Sequence, residues 1–262
     1  MKVAVVTGAG SGIGEAVAHR MLADGWGVVA VDCAQSGLDQ FSGDARTTSS
    51  RTVLGDVANR DTHRRARAEA ASLGVLGAWV SVAGITRTHD LHDLDESSAR
   101  QVIDVNQLGA LWGAAEAVEA LRESGAGGVI VQISSVHAYH AAVGYPVYEM
   151  TKAAADALTR SVAVTYGPLG IRAVSIAPGA VRTPALTAAL DTAPDPARAT
   201  AQLEGASPLG RIGQPSEIAS AVAFAVSEEA CFLSGTSIVV DGGWSAVLLQ
   251  DHDAPGPDRW AQ

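Results

Sequence analysis

The chain has 262 residues, of which 47% are apolar, and a formal net charge of −10. This is enough material for one α/β domain with a large core, and the acidic balance argues against nucleic acid or an anionic membrane as a bulk partner. Its two cysteines, Cys33 and Cys231, indicate neither a disulfide framework nor a zinc site. There is no leader-like start and no apolar run of the ~18 residues that would suggest a membrane span, so we expect a cytoplasmic protein.

The first part of the chain predicts a βαβ unit around a glycine-rich turn. Residues 2–7 and 27–32 are typical of buried strands, and residues 15–23 have the period of an amphipathic helix. Between them lie Gly8, Gly12 and Gly14, whose missing side chains would let the backbone approach a pyrophosphate at the helix N-terminus. The spacing differs from the usual dinucleotide pattern and is also compatible with a plain structural turn. Its position between strand and helix favours a cofactor turn.

Asp32 ends the second predicted strand, 18 positions after Gly14. An acid there can bond the ribose hydroxyls of adenosine and repel a 2′-phosphate. Neither Ser11 nor Cys33 is basic, so nothing nearby offers the opposite preference. The sequence therefore predicts NAD rather than NADP, with a loop aspartate in a turn as the alternative.

The middle of the chain predicts further alternating elements. Residues 51–55 and 77–82 read as strands, and residues 59–71 as a basic helix whose outer face is solvated. The polar loop 85–94 contains His89 and His92, which lack a third ligand at a suitable spacing. We expect them to be surface histidines rather than metal ligands.

Residues 95–120 predict a long helix with an interruption near Gly109. Asn106 lies inside this helix, although asparagine is a poor helix former. A local opening there could bring its side chain and a backbone carbonyl toward a site. An ordinary exposed asparagine is the alternative.

Tyr148 and Lys152 lie four residues apart in a strongly helical run, so both would share one helix face. A nearby cation favours the phenolate form of a tyrosine, as a base at neutral pH requires. Lys2 and Lys152 are the only lysines in a chain that otherwise uses arginine. A lysine at this position therefore indicates a need for a compact ammonium rather than a guanidinium. A solvated helix face is the alternative explanation of this short pattern.

Two serines, Ser134 and Ser135, follow a predicted buried strand over residues 128–133. Ligands of open parallel α/β sheets bind outside the carboxyl ends of the strands. A hydroxyl at this strand end and the phenol of Tyr148 could therefore meet one substrate oxygen.

The last third predicts a strand over residues 170–177, a helix over 215–226 and a strand over 236–240. Between them, about residues 184–210, we expect a lid of one or two loosely packed helices. Residues 250–262 predict an irregular tail. The alternation gives seven parallel strands in doubly wound order, with helices on both faces, in one domain of residues 1–249.

These residues, in this order, resemble the short-chain dehydrogenase/reductase family over nearly the whole chain. The resemblance implies a Rossmann-type fold. One departure is that the fourth strand runs into Ser81-Val82-Ala83-Gly84, where the family usually has Asn-Asn-Ala-Gly. The motifs that carry the resemblance are Thr7-Gly8-x-x-x-Gly12-Ile13-Gly14, Asp56, Ala83-Gly84, Asn106, Ser135, Tyr148-x-x-x-Lys152, Pro178-Gly179 and Asp241-Gly242-Gly243.

The resemblance also implies roles for individual residues. Tyr148 would be the general acid/base, Lys152 would lower its pKa and hold the nicotinamide ribose, and Ser135 would bond the substrate oxygen. Asn106 would anchor a water in a proton relay. The family's spacing to the tyrosine selects Ser135 over Ser134. The cofactor-binding residues implied are Gly8, Ser11, Gly12, Ile13, Gly14, Asp32, Asp56, Val57, Ala83, Gly84, Tyr148, Lys152, Pro178, Gly179, Val181 and Thr183.

The substrate wall of such an enzyme would lie between the serine and the tyrosine. His137 and Tyr145 are the expected substrate contacts there, and a packed structural histidine is the alternative for His137. The resemblance implies reversible hydride transfer between a secondary alcohol and NAD, without a metal, in a homotetramer or homodimer. A ketoreductase working mainly in reverse and a non-catalytic NAD sensor or scaffold are the competing hypotheses.

Overall fold

One parallel sheet organises the molecule. The computed structural model describes residues 1–44, 47 and 49–247. In this part of the chain, seven strands pair in the order β3-β2-β1-β4-β5-β6-β7, and every pairing is parallel. The predicted seven-stranded α/β fold is confirmed. The strands are β1 (Lys2–Thr7), β2 (Gly27–Asp32), β3 (Ser50–Leu54), β4 (Val75–Ser81), β5 (Gly128–Ile133), β6 (Ile171–Pro178) and β7 (Thr236–Val240).

Helices cover both faces of the sheet, as predicted. On one face α1, α2 and α9 pack against the apolar side chains of the strands. On the other face α3, α5 and α6 do the same. Because the central strands are buried on both sides, they read as continuous apolar runs. The helices are α1 (Gly12–Ala23), α2 (Gln35–Ser42), α3 (Arg60–Leu73), α4 (Glu96–Ile103), α5 (Gly109–Ser124), α6 (Pro146–Tyr166), α7 (Pro184–Asp191), α8 (Pro196–Ala206) and α9 (Pro215–Val226).

The strand order reverses between β1 and β4, because the chain runs outward from β1 to β3 and then returns to the other side of β1. At such a switch point the loops after the two strands turn to opposite faces and leave a crevice at their carboxyl ends. The glycine-rich turn follows β1 and Ala83-Gly84 follows β4, so both line this crevice.

Apart from shifts of a few residues at the ends of elements, two features differ from the sequence predictions. Helix α2 was not predicted, since only Leu38 and Phe41 in it are buried and the apolar signal is short. The long helix is interrupted by a π-helical turn at Asp104–Leu108, upstream of the expected Gly109. Such turns often occur at functional sites, and this one contains Asn106.

The expectation of a solvated outer face on the basic helix is wrong in part. In α3 the side chains of His63, Ala66 and Ala70 are buried against the sheet. On its outer side Arg67 forms ion pairs with Glu116, Glu119 and Glu123 of α5. The arginines therefore join α3 to α5 rather than only facing water.

The segment expected to be a lid contains α7 and α8, and none of the residues of α8 is buried. The predicted tail over residues 250–262 lies outside the described residues. No helix in the described part of the chain has the length and apolarity needed to cross a membrane.

Candidate active site

The glycine-rich turn lies tightly against two neighbouring segments. Gly8 and Gly12 have positive φ angles of +67° and +57°, a conformation that strains other residues. A Cβ at Gly8 would lie 2.9 Å from the backbone of Ala83, and one at Gly12 would lie 3.1 Å from Cγ2 of Thr183. The turn therefore brings the ends of β1, β4 and the segment after β6 together.

The rest of this turn opens α1. Ser11 is exposed at the N-cap, and Ile13 is half-buried against the core in the first turn. Gly14 is buried, and no Cβ could fit there beside the backbone of Gly8. The glycine turn therefore leads directly into α1, whose first N–H groups lack acceptors within the helix.

Asp32 braces the glycine turn from the end of β2. Its Oδ2 accepts a hydrogen bond of 2.8 Å from Gly10 N–H, and its Oδ1 accepts one of 2.9 Å from Ala34 N–H. Burial, and then the negative charges of Asp32 and Asp56, raise the pKa of the Cys33 thiol. Two carboxylates thus make this end of the crevice electronegative.

Asp56 and Val57 follow β3 and are held in different ways. Asp56 is exposed, accepts a hydrogen bond from Ala58 N–H and borders a surface cavity of about 770 Å³. Val57 is buried, and its side chain lies against Gly109. Its carbonyl bonds to Nε2 of His63 at 2.8 Å.

Thr7 secures the loop after β4. Its buried Oγ1 accepts hydrogen bonds from the N–H groups of Val82 at 3.0 Å and Ala83 at 3.2 Å. The threonine hydroxyl thus satisfies two backbone donors of the turn in which Val82 stands. This role was not predicted from the sequence, although Thr7 stands directly before the glycine turn.

Asn106 lies in the π-helical turn and is buried rather than exposed. Its Oδ1 accepts from Ile85 N–H at 2.8 Å, and its Nδ2 donates to the carbonyl of Ile85 at 2.9 Å. The same Nδ2 donates to Oγ1 of Thr151, which in turn donates to the carbonyl of Tyr148. Thr151, also missed from sequence, thus joins the π-turn to the helix that carries the tyrosine.

Tyr148 and Lys152 share one face of α6, as their spacing predicts. Nζ of Lys152 lies 5.5 Å from the centre of the Tyr148 ring. The lysine is buried and donates a 2.8 Å hydrogen bond to the carbonyl of Ile133. A Cβ at Gly84 would lie 3.6 Å from Nζ and 3.3 Å from Oδ1 of Asn106, so these groups meet at one place.

The two serines after β5 have different partners. Ser134 Oγ donates to the carbonyl of Lys152 at 3.2 Å, which ties it to the helix. Ser135 Oγ accepts from His137 N–H at 3.2 Å. Within the described residues, the hydroxyl hydrogen of Ser135 has no acceptor and can donate to another molecule.

Aromatic rings surround the phenol of Tyr148. Edge-on contacts join His137 to Tyr148 at 5.6 Å and to Tyr145 at 5.5 Å between ring centroids. Tyr139 and His140 are exposed, and the hydroxyl of Tyr139 approaches Asp156 and Ser237 instead. The structure therefore brings two of the four ring-bearing residues of this loop beside the tyrosine.

The segment after β6 closes the crevice. Pro178 ends the strand, and a Cβ at Gly179 would lie 2.9 Å from Cβ of Asp241. Buried Val181 forms a bridge with Gly213. Thr183 caps α7 by accepting from Leu186 N–H at 3.2 Å, and its methyl faces Gly12.

The expectation of surface histidines is wrong for His89. Its ring is buried and its Nε2 lies 3.0 Å from Oγ of Ser98, because His89 N–H bonds the carbonyl of Gly144 and draws the loop inward. His92 is exposed.

These residues fit a nicotinamide dinucleotide. The glycine turn leaves little room for side chains and leads directly into the N-terminus of α1, whose N–H groups would hold a pyrophosphate. The buried ammonium of Lys152 makes one hydrogen bond to the described residues, which leaves further donors for a ribose.

Comparisons with known proteins agree with this arrangement. A family model described as enoyl-(acyl carrier protein) reductase matches residues 8–245. The chain is 38% identical over 253 residues to cis-4-hydroxycyclohexanecarboxylate dehydrogenase of Sinomonas cyclohexanicum, covering 94% of this chain and 97% of that protein. It is 32% identical to galactitol 2-dehydrogenase (L-tagatose-forming) of Cereibacter sphaeroides, over 92% and 94% of the two chains. Ligand-free Thermoplasma acidophilum aldohexose dehydrogenase superposes with a TM-score of 0.85 at 31% identity, over 95% and 96%.

Proposed function

The chain belongs to the short-chain dehydrogenase/reductase family, and on that premise we propose that it is an NAD-dependent dehydrogenase of secondary alcohols. Family membership makes it an oxidoreductase of CH–OH groups that uses a nicotinamide cofactor. The observation that carries the rest is the ammonium of Lys152 beside the ring of Tyr148, at the end of the glycine crevice.

In the proposed reaction Tyr148 takes the hydroxyl proton of the alcohol. Lys152 supplies positive charge beside the phenol, and Ser135 donates a hydrogen bond to the same substrate oxygen. A bound nicotinamide supplies the hydride acceptor, so the C–H bond breaks as the C=O bond forms. Asn106 holds the loop after β4 and anchors a water that carries the proton onward.

The proposed choice of NAD rests on Asp32. A 2′-phosphate would meet the carboxylates of Asp32 and Asp56, whereas ribose hydroxyls can donate to them. We further propose a cytoplasmic homotetramer or homodimer, in line with the family, and a lid formed by residues 184–210.

The substrate is proposed to be a small secondary alcohol that carries further polar groups. Relatives are named for galactitol, aldohexose and cis-4-hydroxycyclohexanecarboxylate, each of which carries further polar groups besides one hydroxyl. A ketoreductase that works mainly in reverse is the second candidate, because the same groups would serve either direction.

A screen of secondary alcohols and their ketones with NAD and NADP, followed by the absorbance of the reduced cofactor, tests this proposal. We expect turnover with NAD for at least one alcohol. A clear preference for NADP would overturn the role given to Asp32. An absence of turnover in both directions, with NADH still bound, would favour a sensor or scaffold.

A further inference from the structure

A histidine and a glutamate next to the tyrosine form a half-buried pair. Nδ1 of His137 lies 3.4 Å from Oε1 of Glu149, and each side chain is 21% exposed. The same Oε1 accepts a 2.7 Å hydrogen bond from Ala142 N–H. Glu149 thus holds both the histidine and the loop that leads into α6.

The imidazole faces the place where the alcohol would react. Its ring contacts those of Tyr145 and Tyr148 edge-on, so it borders the same space as the phenol. Its Nδ1 is turned to Glu149. Its other nitrogen, Nε2, makes no hydrogen bond within the described part of the chain.

The partner of Nδ1 decides what Nε2 can do. A carboxylate at neutral pH accepts hydrogen bonds but does not donate them, so this contact assigns the proton of a neutral imidazole to Nδ1. The lone pair then resides on Nε2. A substrate group that meets Nε2 must donate a hydrogen, as a hydroxyl does and as a carboxylate or ketone does not.

We propose that Glu149 is a positioning residue that holds His137 in the Nδ1–H tautomer, and that Nε2 of His137 accepts a hydrogen bond from a second hydroxyl of the substrate. This inference rests on the proposed function and narrows it. The preferred substrates are vicinal diols and polyols, in which a second hydroxyl stands on the carbon next to the reacting one.

Matched substrates test this inference. The ratio of kcat/KM for vicinal cyclohexanediol to kcat/KM for cyclohexanol, both with NAD, isolates the second hydroxyl. For the wild type we expect a ratio of about 10 or more, because without the second hydroxyl the half-buried Nε2 of His137 stays without a hydrogen-bond partner. His137→Phe keeps a ring but no acceptor, and it should bring the ratio near unity.

Variants of Glu149 then show whether it acts through the histidine. Glu149→Ala should lower the ratio as His137→Phe does, while Glu149→Gln, which keeps an acceptor oxygen, should restore most of it. In the His137→Phe background, Glu149→Ala should change the ratio no further. Glu229→Gln, an exposed site in the turn after α9, is the matched control.

Three results would overturn the inference. The first is a ratio unchanged by both single variants. The second is additive effects in the double variant, which would mean that Glu149 acts only by holding the loop. The third is a preference for a carboxylate-bearing analogue over the diol, which would mean that Nε2 donates. A wild type that oxidises no alcohol at all would overturn the proposed function as well.

Discussion

At the scale of single residues, two threonine hydroxyls hold the segments of the candidate site together. Thr7 binds the loop after β4, and Thr151 links Asn106 to the backbone of Tyr148. The positions of the glycine turn, Asp32 and the Tyr148-Lys152 pair could be predicted, because each stands at a recognisable place at the end of a strand or along a helix face. The threonines could not, because a buried hydroxyl that accepts a hydrogen bond from a group distant in the sequence leaves no periodic pattern.

Replacing Thr7 with valine tests this role. The isosteric change leaves the part-buried N–H groups of Val82 and Ala83 without this acceptor, so we expect a loss of about 2 kcal/mol in the free energy of unfolding. Urea unfolding measures it, and Thr52→Val on exposed β3 is the control. An unchanged midpoint would mean that another group satisfies the loop.

At the scale of elements, the π-helical turn is the feature that sequence analysis located only roughly. The sequence predicted a break in the helix near Gly109. The break lies at Asp104–Leu108, because the side-chain amide of Asn106 accepts a hydrogen bond from the N–H of Ile85 and donates one to its carbonyl. An asparagine inside a predicted helix indicates that the helix could open locally. The partner that stabilises the opening is the backbone of Ile85, in the loop after β4, and the sequence does not indicate that pairing.

Helix α3 contributes a pH-dependent part of stability through His63. Burial lowers the pKa of this imidazole, which stacks on Trp79 and bonds the carbonyl of Val57. His63 therefore binds a proton more readily in the unfolded chain than in the folded one. The stability that the neutral imidazole contributes near neutral pH is lost as the pH falls below about 6.5.

We expect the free energy of unfolding to fall between pH 7 and pH 5 more steeply in the wild type than in His63→Gln. The slope can differ by up to about 1.4 kcal/mol per pH unit for one proton. Urea titrations at several pH values measure it. His92→Gln, at an exposed histidine, should keep the wild-type slope, and equal slopes in all three proteins would contradict the assignment.

At the scale of the whole molecule, the strand order could be predicted from the sequence, because alternating strands and helices leave few right-handed, unknotted solutions. That order places the ends of β1 and β4 side by side and so creates the crevice. The packing of α3 on α5 could not be predicted, because it depends on ion pairs such as Arg67 with Glu116 between helices distant in sequence.

If NADH binds in the crevice of the folded chain and does not bind the unfolded chain, it must stabilise the folded state. At a concentration of about 100 times its dissociation constant, the gain is about 2.7 kcal/mol. For a chain of this size that is a rise of roughly 5–10 °C in Tm. Thermal scans with NADH and NADPH measure it. We expect a smaller shift with NADPH, and Gly12→Val, which adds a side chain against Thr183, should abolish both shifts.

The proposed function depends most on the proton transfer assigned to Tyr148, and Tyr148→Phe tests it directly because only the phenolic oxygen is removed. With the best alcohol of the screen, we expect kcat to fall by about 10²–10⁴-fold, while fluorescence titration shows NADH bound as tightly as by the wild type. A variant that keeps wild-type kcat would contradict the assignment of Tyr148 as the acid/base.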